Sequence, residues 1–236
     1  MPDAWRRTWR CCVNNAVLIQ QVWEGAVGDK GDYLPLMELT KARNEAYCAR
    51  HAFDFVYHVG TLDPKYASVW DGCWPKVELI QQALRKGYQY IVWMDPDALI
   101  RDLDTDLRDA CPLGIGACWM RIPQLDHWNV GVLYLQNTPE VVRFVDEWLA
   151  QFPGDKQWRE QGVFNAMGMK SKVVFTIADR WNATMNYSMV PDAVVLGFHG
   201  NGDAPFRLSM MQETLKHLPE ESSKLAQGFG REVAKE

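Results

Sequence analysis

Asp95 and Asp97 stand two residues apart, directly after the apolar run 90–94, with Pro96 between them. In an extended segment, residues i and i+2 project to the same side, so two carboxylates could be aimed at one hard cation, with proline stiffening the turn. A carboxylate following so apolar a run is costly to bury without a partner, and a metal or hydrogen-bond donors are expected there. The same spacing recurs at Asp102, Asp104 and Asp106, where it reads as a solvated loop. Position at the end of a strand is what separates the first pair. A second candidate is His199, which follows the apolar segment 193–198 and opens the run His199-Gly200-Asn201-Gly202-Asp203. It would add a nitrogen donor, and glycines such as Gly200 would let backbone approach a phosphate closely. Two carboxylates and one imidazole suit manganese over magnesium. Taken singly, a satisfied histidine or a plain turn explains that segment as well.

The elements that must position these groups alternate between strands and helices, the pattern of an α/β layered fold. Strands are expected at 16–22, 53–59, 90–94, 131–136, 172–177 and 193–198. A helix over 36–50 would bury Leu36, Leu39, Ala42, Ala46 and Ala49. Residues 74–86 form the clearest helix: Pro75 sits near its first turn, Val77, Ile80 and Leu84 share one face, and Gly87 closes it. Thr138-Pro139 opens another, lined by Val142, Val145, Trp148, Leu149 and Phe152, and a short helix spans 160–167. No repeat or linker divides the chain, so one domain over 1–218 with a polar tail at 219–236 is expected.

The whole chain has 236 residues, 47% hydrophobic and 23% charged, with a formal net charge of -5, which excludes wholesale disorder. No apolar run approaches the roughly 20 residues of a membrane span, and the basic, Trp-rich start does not read as a signal peptide. A cytoplasmic protein with reduced thiols is the expectation, the six cysteines showing no zinc-like spacing. Two glycosylation sequons, at Asn182 and Asn186, are then idle. A pI near 5.6 argues against a dedicated nucleic-acid binder. Eleven tryptophans are the compositional oddity; each reads first as core, and second as a flat face for a sugar ring.

Several motifs, in order, resemble the GT-A glycosyltransferases related to yeast α-mannosyl and α-galactosyl transferases and plant xyloglucan α-xylosyltransferases. They are Asn44-Glu45-Ala46-Tyr47-Cys48 with His51 and Phe53-Asp54, then Trp74-Pro75-Lys76, Trp93-Met94-Asp95-Pro96-Asp97-Ala98, Asn129-Val130-Gly131-Val132 with Gln136-Asn137, Glu160-Gln161, and Phe198-His199-Gly200. Departures are Glu45 where the family has Lys, Glu160 where it has Asp, and proline inside the acidic triplet. The family's eukaryotic members carry an N-terminal membrane anchor, and none is legible here. The resemblance implies a single GT-A, Rossmann-like domain, its mostly parallel central sheet flanked by helices. It further implies retaining transfer of a hexose or pentose from a nucleotide-sugar donor, with UDP the expected carrier. Asp95, Asp97 and His199 would hold Mn2+ or Mg2+; Asn44, Lys76, Asp95, Asn129, Gly131 and Gly200 would bind the donor. Gln161 would steady the oxocarbenium-like state and Glu160 would bind sugar hydroxyls. A solvated Lys76 and an exposed helix start at Glu160-Gln161 are the competing readings.

Two other classes compete. A haloacid-dehalogenase-like magnesium phosphohydrolase also ends an apolar strand in Asp-x-Asp, but its motif sits near the chain start and continues to Thr or Val, whereas Ala98 and Leu99 follow here. A non-catalytic sugar-binding protein would share the tryptophans and the acidic site. The acceptor is expected to be a carbohydrate or other hydroxyl compound. A nucleic-acid acceptor, such as a hydroxymethylated base in viral DNA, is raised only by Arg6, Arg7 and Arg10 interleaved with Trp5 and Trp9.

Overall fold

In the computed structural model, strands β1 (Ala16–Trp23), β2 (Phe53–Gly60) and β3 (Tyr90–Met94) lie side by side, β1 in the middle and parallel to both neighbours. The structure describes residues 15–23, 31–60, 66, 73–122, 125–154, 158–184, 190–200 and 202–218. The main sheet has seven strands in the order β2-β1-β3-β7-β5-β6, with β8 (Val174–Ile177) also paired to β5 (Ile115–Ile122). Strands β1, β2, β3, β5 and β8 run one way; β6 (Leu125–Trp128) and β7 (Val132–Gln136) run the other. The mostly parallel α/β sheet expected from the sequence is what forms.

The period-2 alternation of the strands sends successive side chains to opposite faces. Val17, Ile19, Ile91, Trp93, Leu133 and Leu135 meet α2 (Pro75–Arg85), α3 (Pro139–Ala150) and α4 (Arg159–Gly168) on one side. Leu18, Val92, Met94, Val132 and Tyr134 join Tyr47 and Cys48 of α1 (Leu34–His51) on the other. A third cluster ties α1 to α5 (Ala204–Lys216) and to a small sheet of β4 (Ala98–Ile100), β9 (Ala183–Thr184) and β10 (Val195–Gly197), through Leu36, Leu99, Leu196, Phe198 and Met211.

One edge of this layout collects the ends that matter. Antiparallel β7 begins where parallel β3 ends, with Met94 opposite Val132, and the Asp95 N–H donates to the Gly131 carbonyl at 2.7 Å. Antiparallel pairing of β4 with β10 sets Ala98 opposite Gly197, and the Phe198 N–H donates to the Asp97 carbonyl at 2.9 Å. The acidic turn is thereby held between the starts and ends of two sheets.

Several elements differ from expectation. Helix α1 buries Leu36, Met37, Thr40, Asn44, Tyr47 and Cys48, while Ala42 and Ala49 are exposed. The displaced stripe arises because Thr40 and Asn44 face the polar end of β1, where Gln20 accepts from the Asn44 amide at 2.8 Å. Strands β4, β5, β6 and β9 and helix α5 were not expected. Gly116, Ala117 and Cys118 give β5 little β-branched character, and α5 buries only Ala204, Arg207 and Met211. Among the described residues no helix is long and apolar enough to cross a membrane. The tail at 219–236, the basic arm at 5–10, the sequon at Asn186 and the thiols Cys11 and Cys12 lie outside the described residues. Cys48, Cys111 and Cys118 are buried free thiols and Cys73 is partly buried. Asn182 is 3% exposed, which itself precludes a glycan on the other sequon.

Candidate active site

Asp95 is seated by its neighbours before any ligand arrives. The Trp93 indole Nε1 donates to Oδ1 at 2.7 Å, and Lys76 Nζ lies 3.1 Å from the same oxygen. Pro75 starts α2 and delivers Lys76 on its buried first turn, so the solvated reading of that lysine is overturned: its side chain is 6% exposed. Lys76 also pairs with Glu160 at 3.1 Å, and Glu160 is 4% exposed, which overturns the exposed-helix-start reading too. Burial drags the ammonium down, but Asp95 and Glu160 outweigh it and hold Lys76 charged, above its usual range. Burial pushes the Asp95 carboxyl above the carboxylate range; Lys76 pulls it back and the nearby Asp97 adds to the rise. A carboxylate raised by burial and by a neighbouring acid is short of positive charge.

Asn129 is the hub of the opposite wall. Its Oδ1 accepts from the Gly131 N–H at 2.7 Å and from the Asn182 amide at 3.2 Å, and its Nδ2 meets His199 Nε2. Thr184 Oγ1 lies 3.0 Å from the same imidazole nitrogen. Burial is the largest influence on His199 and lowers it to about 4, so the ring is neutral and able to donate a lone pair. Gly197 makes room for it: a Cβ there would fall 2.4 Å from the His199 ring. Gly131 does the same for the acidic turn, a Cβ there lying 3.0 Å from Asn129 Oδ1 and 3.2 Å from Asp95 Oδ2. Gly200 takes φ 80°, as only glycine readily does, in the turn after His199.

Helix α4 brings Glu160 and Gln161. Trp148, fully buried, donates its indole N–H to the Glu160 carbonyl at 2.8 Å and fixes the helix start. Gln161 Oε1 accepts from the Val130 N–H at 3.2 Å, which joins α4 to the segment before β7. Gln161 also lines a cavity of about 390 Å³ with Trp119, Trp158, His127 and Met169. Trp158 is 39% exposed there, whereas Trp74, Trp93, Trp128, Trp148 and Trp181 are core, as tryptophan's first reading requires. Asn44 lies one strand away from the acidic turn; besides Gln20 it meets Thr40 Oγ1 at 3.5 Å. The Asn44 Oδ1 and the Nε2 atoms of Gln20 and Gln21 are buried without a hydrogen-bond partner among the described residues.

The structure thus gathers Lys76, Asp95, Asp97, Asn129, Gly131, Glu160, Gln161 and His199 at one sheet edge, with Asn44 on the flank. Three participants were missed: Thr184 and Asn182, which seat His199 and Asn129, and Arg207, whose guanidinium pairs with Asp97 Oδ2. The cap Asp203 followed by Ala204-Pro205 was the available signal for the helix that carries Arg207. Among the described residues no group of three or more His, Cys, Asp and Glu side chains is drawn together as a metal cage. The donor set, two carboxylates and one imidazole, suits a divalent cation in kind. Asp95 and Asp97 each use one oxygen chiefly, His199 is neutral, and Asp97 is near enough to both to shift their protonation. Hard cations of this kind are commonly held by one or two carboxylates plus substrate phosphates, with no complete protein cage.

A mixed sheet with helices on both faces and an acidic turn at the end of its third strand is the GT-A glycosyltransferase fold. A glycosyltransferase involved in glycosylation of the major capsid of PBCV-1 superposes with a TM-score of 0.62 at 15% identity, over 84% of this chain and 99% of that one. The apo-form glycosyltransferase GlyE of Streptococcus pneumoniae gives 0.52 at 10% identity, over 89% and 66%. Sequence narrows the likeness: residues 14–111 match the profile of the galactosyl transferase GMA12/MNN10 family. Galactomannan galactosyltransferase 1 of Cyamopsis tetragonoloba is 27% identical over 157 residues, 61% of this chain and 34% of that protein. The chain therefore spans about a third of the length of this curated relative. The resemblance read from the motifs is borne out.

Proposed function

We propose that the chain is a metal-dependent glycosyltransferase that moves a hexose or pentose from a nucleotide-sugar, with UDP as the carrier, to an acceptor hydroxyl of a glycan, with retention. The observation that carries this reading is the joint placement of Asp95, Asp97 and His199 with the buried Lys76–Glu160 pair at the edge where β3 ends and β7 begins. Asp95, Asp97 and His199 would hold Mn2+ or Mg2+, which supplies positive charge to the diphosphate as it leaves. Lys76 adds a fixed ammonium at the same place, preorganised between two carboxylates. Asn129 and Gly131 shape the wall for the donor sugar, and Gly200 lets backbone approach the phosphates. The unpartnered Asn44 Oδ1 marks the flank for the rest of the donor. Glu160 binds sugar hydroxyls, and the Gln161 amide, which accepts from Val130 and lines the neighbouring cavity, steadies the oxocarbenium-like state.

Neither the phosphohydrolase nor the binding-only alternative gains support from the family match or the fold, and nothing described supports a nucleic-acid acceptor. The test is nucleotide release from a panel of UDP- and GDP-sugars with Mn2+, against Asp95→Ala and Asp97→Ala. Release from one donor, lost on chelation and in both variants, is expected. No release from any donor, together with no donor-dependent thermal shift, would sink the proposal.

A further inference from the structure

The acidic turn contains a cation that no expected role accounts for. Arg207 projects from α5, and its Nη1 pairs with Asp97 Oδ2; the two side chains are 10% and 6% exposed. Its Nη2 donates to the Gly202 carbonyl at 3.1 Å, and the guanidinium lies 5.6 Å from the centre of the Tyr33 ring. Its Nε is buried and finds no hydrogen-bond partner among the described residues. Asp97 is therefore the principal anchor of this guanidinium.

The backbone of Asp97 does not need Arg207 to be placed. It is fixed by the bond from Phe198 N–H and by the pairing of Ala98 with Gly197. What Arg207 supplies is charge. Around the turn, Asp95, Asp97 and Glu160 face Lys76 and Arg207. Lys76 is shared by Asp95 and Glu160, which leaves Asp97 to Arg207. A buried carboxylate stripped of its one cation is strongly destabilising. A cation already seated on a metal ligand also repels an incoming divalent ion.

We propose that Arg207 is the resident counter-ion of the acidic turn: it balances Asp97 in the metal-free protein and opposes the divalent ion when that ion binds. The second half rests on the metal reading above; the first does not.

The test uses Arg207→Met, Arg207→Lys and the pair Asp97→Asn/Arg207→Met in the full chain, after removal of metal by chelator and dialysis. Thermal unfolding of the metal-free proteins reads the counter-ion. Arg207→Met should lower Tm by about 10 °C. Arg207→Lys should keep most of the parent value, and the double variant should recover most of the loss, because neither charge is then left alone. A Tm unchanged in Arg207→Met, or a double variant no better than the single one, would overturn the proposal. Titration of Mn2+, followed by the EPR signal of the free ion, reads the competition. Arg207→Met should bind Mn2+ about tenfold tighter than the parent, and Mn2+ should restore much of its Tm. Weaker binding in Arg207→Met would make Arg207 a positioning residue and refute the competition. If the parent itself takes up no Mn2+, the metal reading fails, while the metal-free unfolding still decides the counter-ion.

Discussion

Gly131→Ala separates the site from the scaffold more cleanly than any charged substitution. Gly131 has no positive φ, so alanine meets no backbone strain there. The added Cβ would lie 3.0 Å from Asn129 Oδ1 and 3.2 Å from Asp95 Oδ2, contacts that must open by a few tenths of an ångström. Neither oxygen retreats freely. Asn129 Oδ1 is held by two donors, and the Asp95 carboxyl is held by Trp93 and Lys76. Pushing such a group off its rotamer costs about 0.5–1.5 kcal/mol. Against that, alanine narrows the unfolded ensemble by about 0.4–1 kcal/mol. Net stability should then stay within about 1 kcal/mol of the parent, or about 2–4 °C in Tm for a chain of this size. Chemistry is less forgiving: a misplacement of about 1 Å can cost about a hundredfold, so a few tenths on the carboxylate should cost on the order of tenfold. The assay is nucleotide release with Mn2+ and the donor found in the panel, alongside thermal unfolding. Release within about twofold of the parent at an unchanged Tm would refute the placement of Gly131 beside the reacting groups. A loss of release that merely follows a large fall in Tm would refute the stability argument.

Other substitutions probe the same construction. Lys76→Met leaves Asp95 and Glu160 without their shared cation and should cost about 3–5 kcal/mol, read by urea unfolding; adding Glu160→Gln should return part of it. Gly197→Ala puts a Cβ 2.4 Å from the His199 ring and 2.5 Å from Asn182 Oδ1, and should abolish Mn2+ uptake. Gly114→Ala, equally tight at 2.4 Å from the Val173 carbonyl but away from the site, should lower Tm and spare Mn2+ uptake. Burial lowers His58 below its ordinary value, so between about 6.5 and its folded value the unfolded chain binds the extra proton. Stability is then full above about 6.5 and declines as pH falls below it. In His58→Gln, urea unfolding at acid and neutral pH should show a smaller decline than in the parent.

The parts of this fold that were legible in sequence are those whose environment is uniform. Residues 90–94 are buried on both faces, so their run of apolar side chains announces a central strand, and the carboxylates after it announce a site. Helix α2 was legible because a single apolar face packs on the sheet, with Pro75 at its start. Reading failed where burial is polar or the packing partner is small. The alanines of α1 pointed to one stripe, but Thr40 and Asn44 are buried because Gln20 waits for them at the end of β1. Sequence shows no sign of such a pairing until both elements are placed. Strand β5 was lost because its middle is Gly116, Ala117 and Cys118; Gly116 is required there, since a Cβ would fall 2.6 Å from the Cys111 side chain.

Arg207 shows the limit most sharply, because an arginine on a helix of weak periodicity reads as a solvated face. Its carboxylate partner stands 110 residues earlier, and nothing local to either residue records the pairing. What could have been deduced was the need. Three acids at one sheet edge, two of them buried and with only Lys76 in view, leave a deficit of positive charge that a folded protein must meet from somewhere. Metal, nucleotide-bound cation and a distant arginine are the available answers. Here the chain supplies the arginine itself, so the proposed ion would enter a site already close to electrical balance.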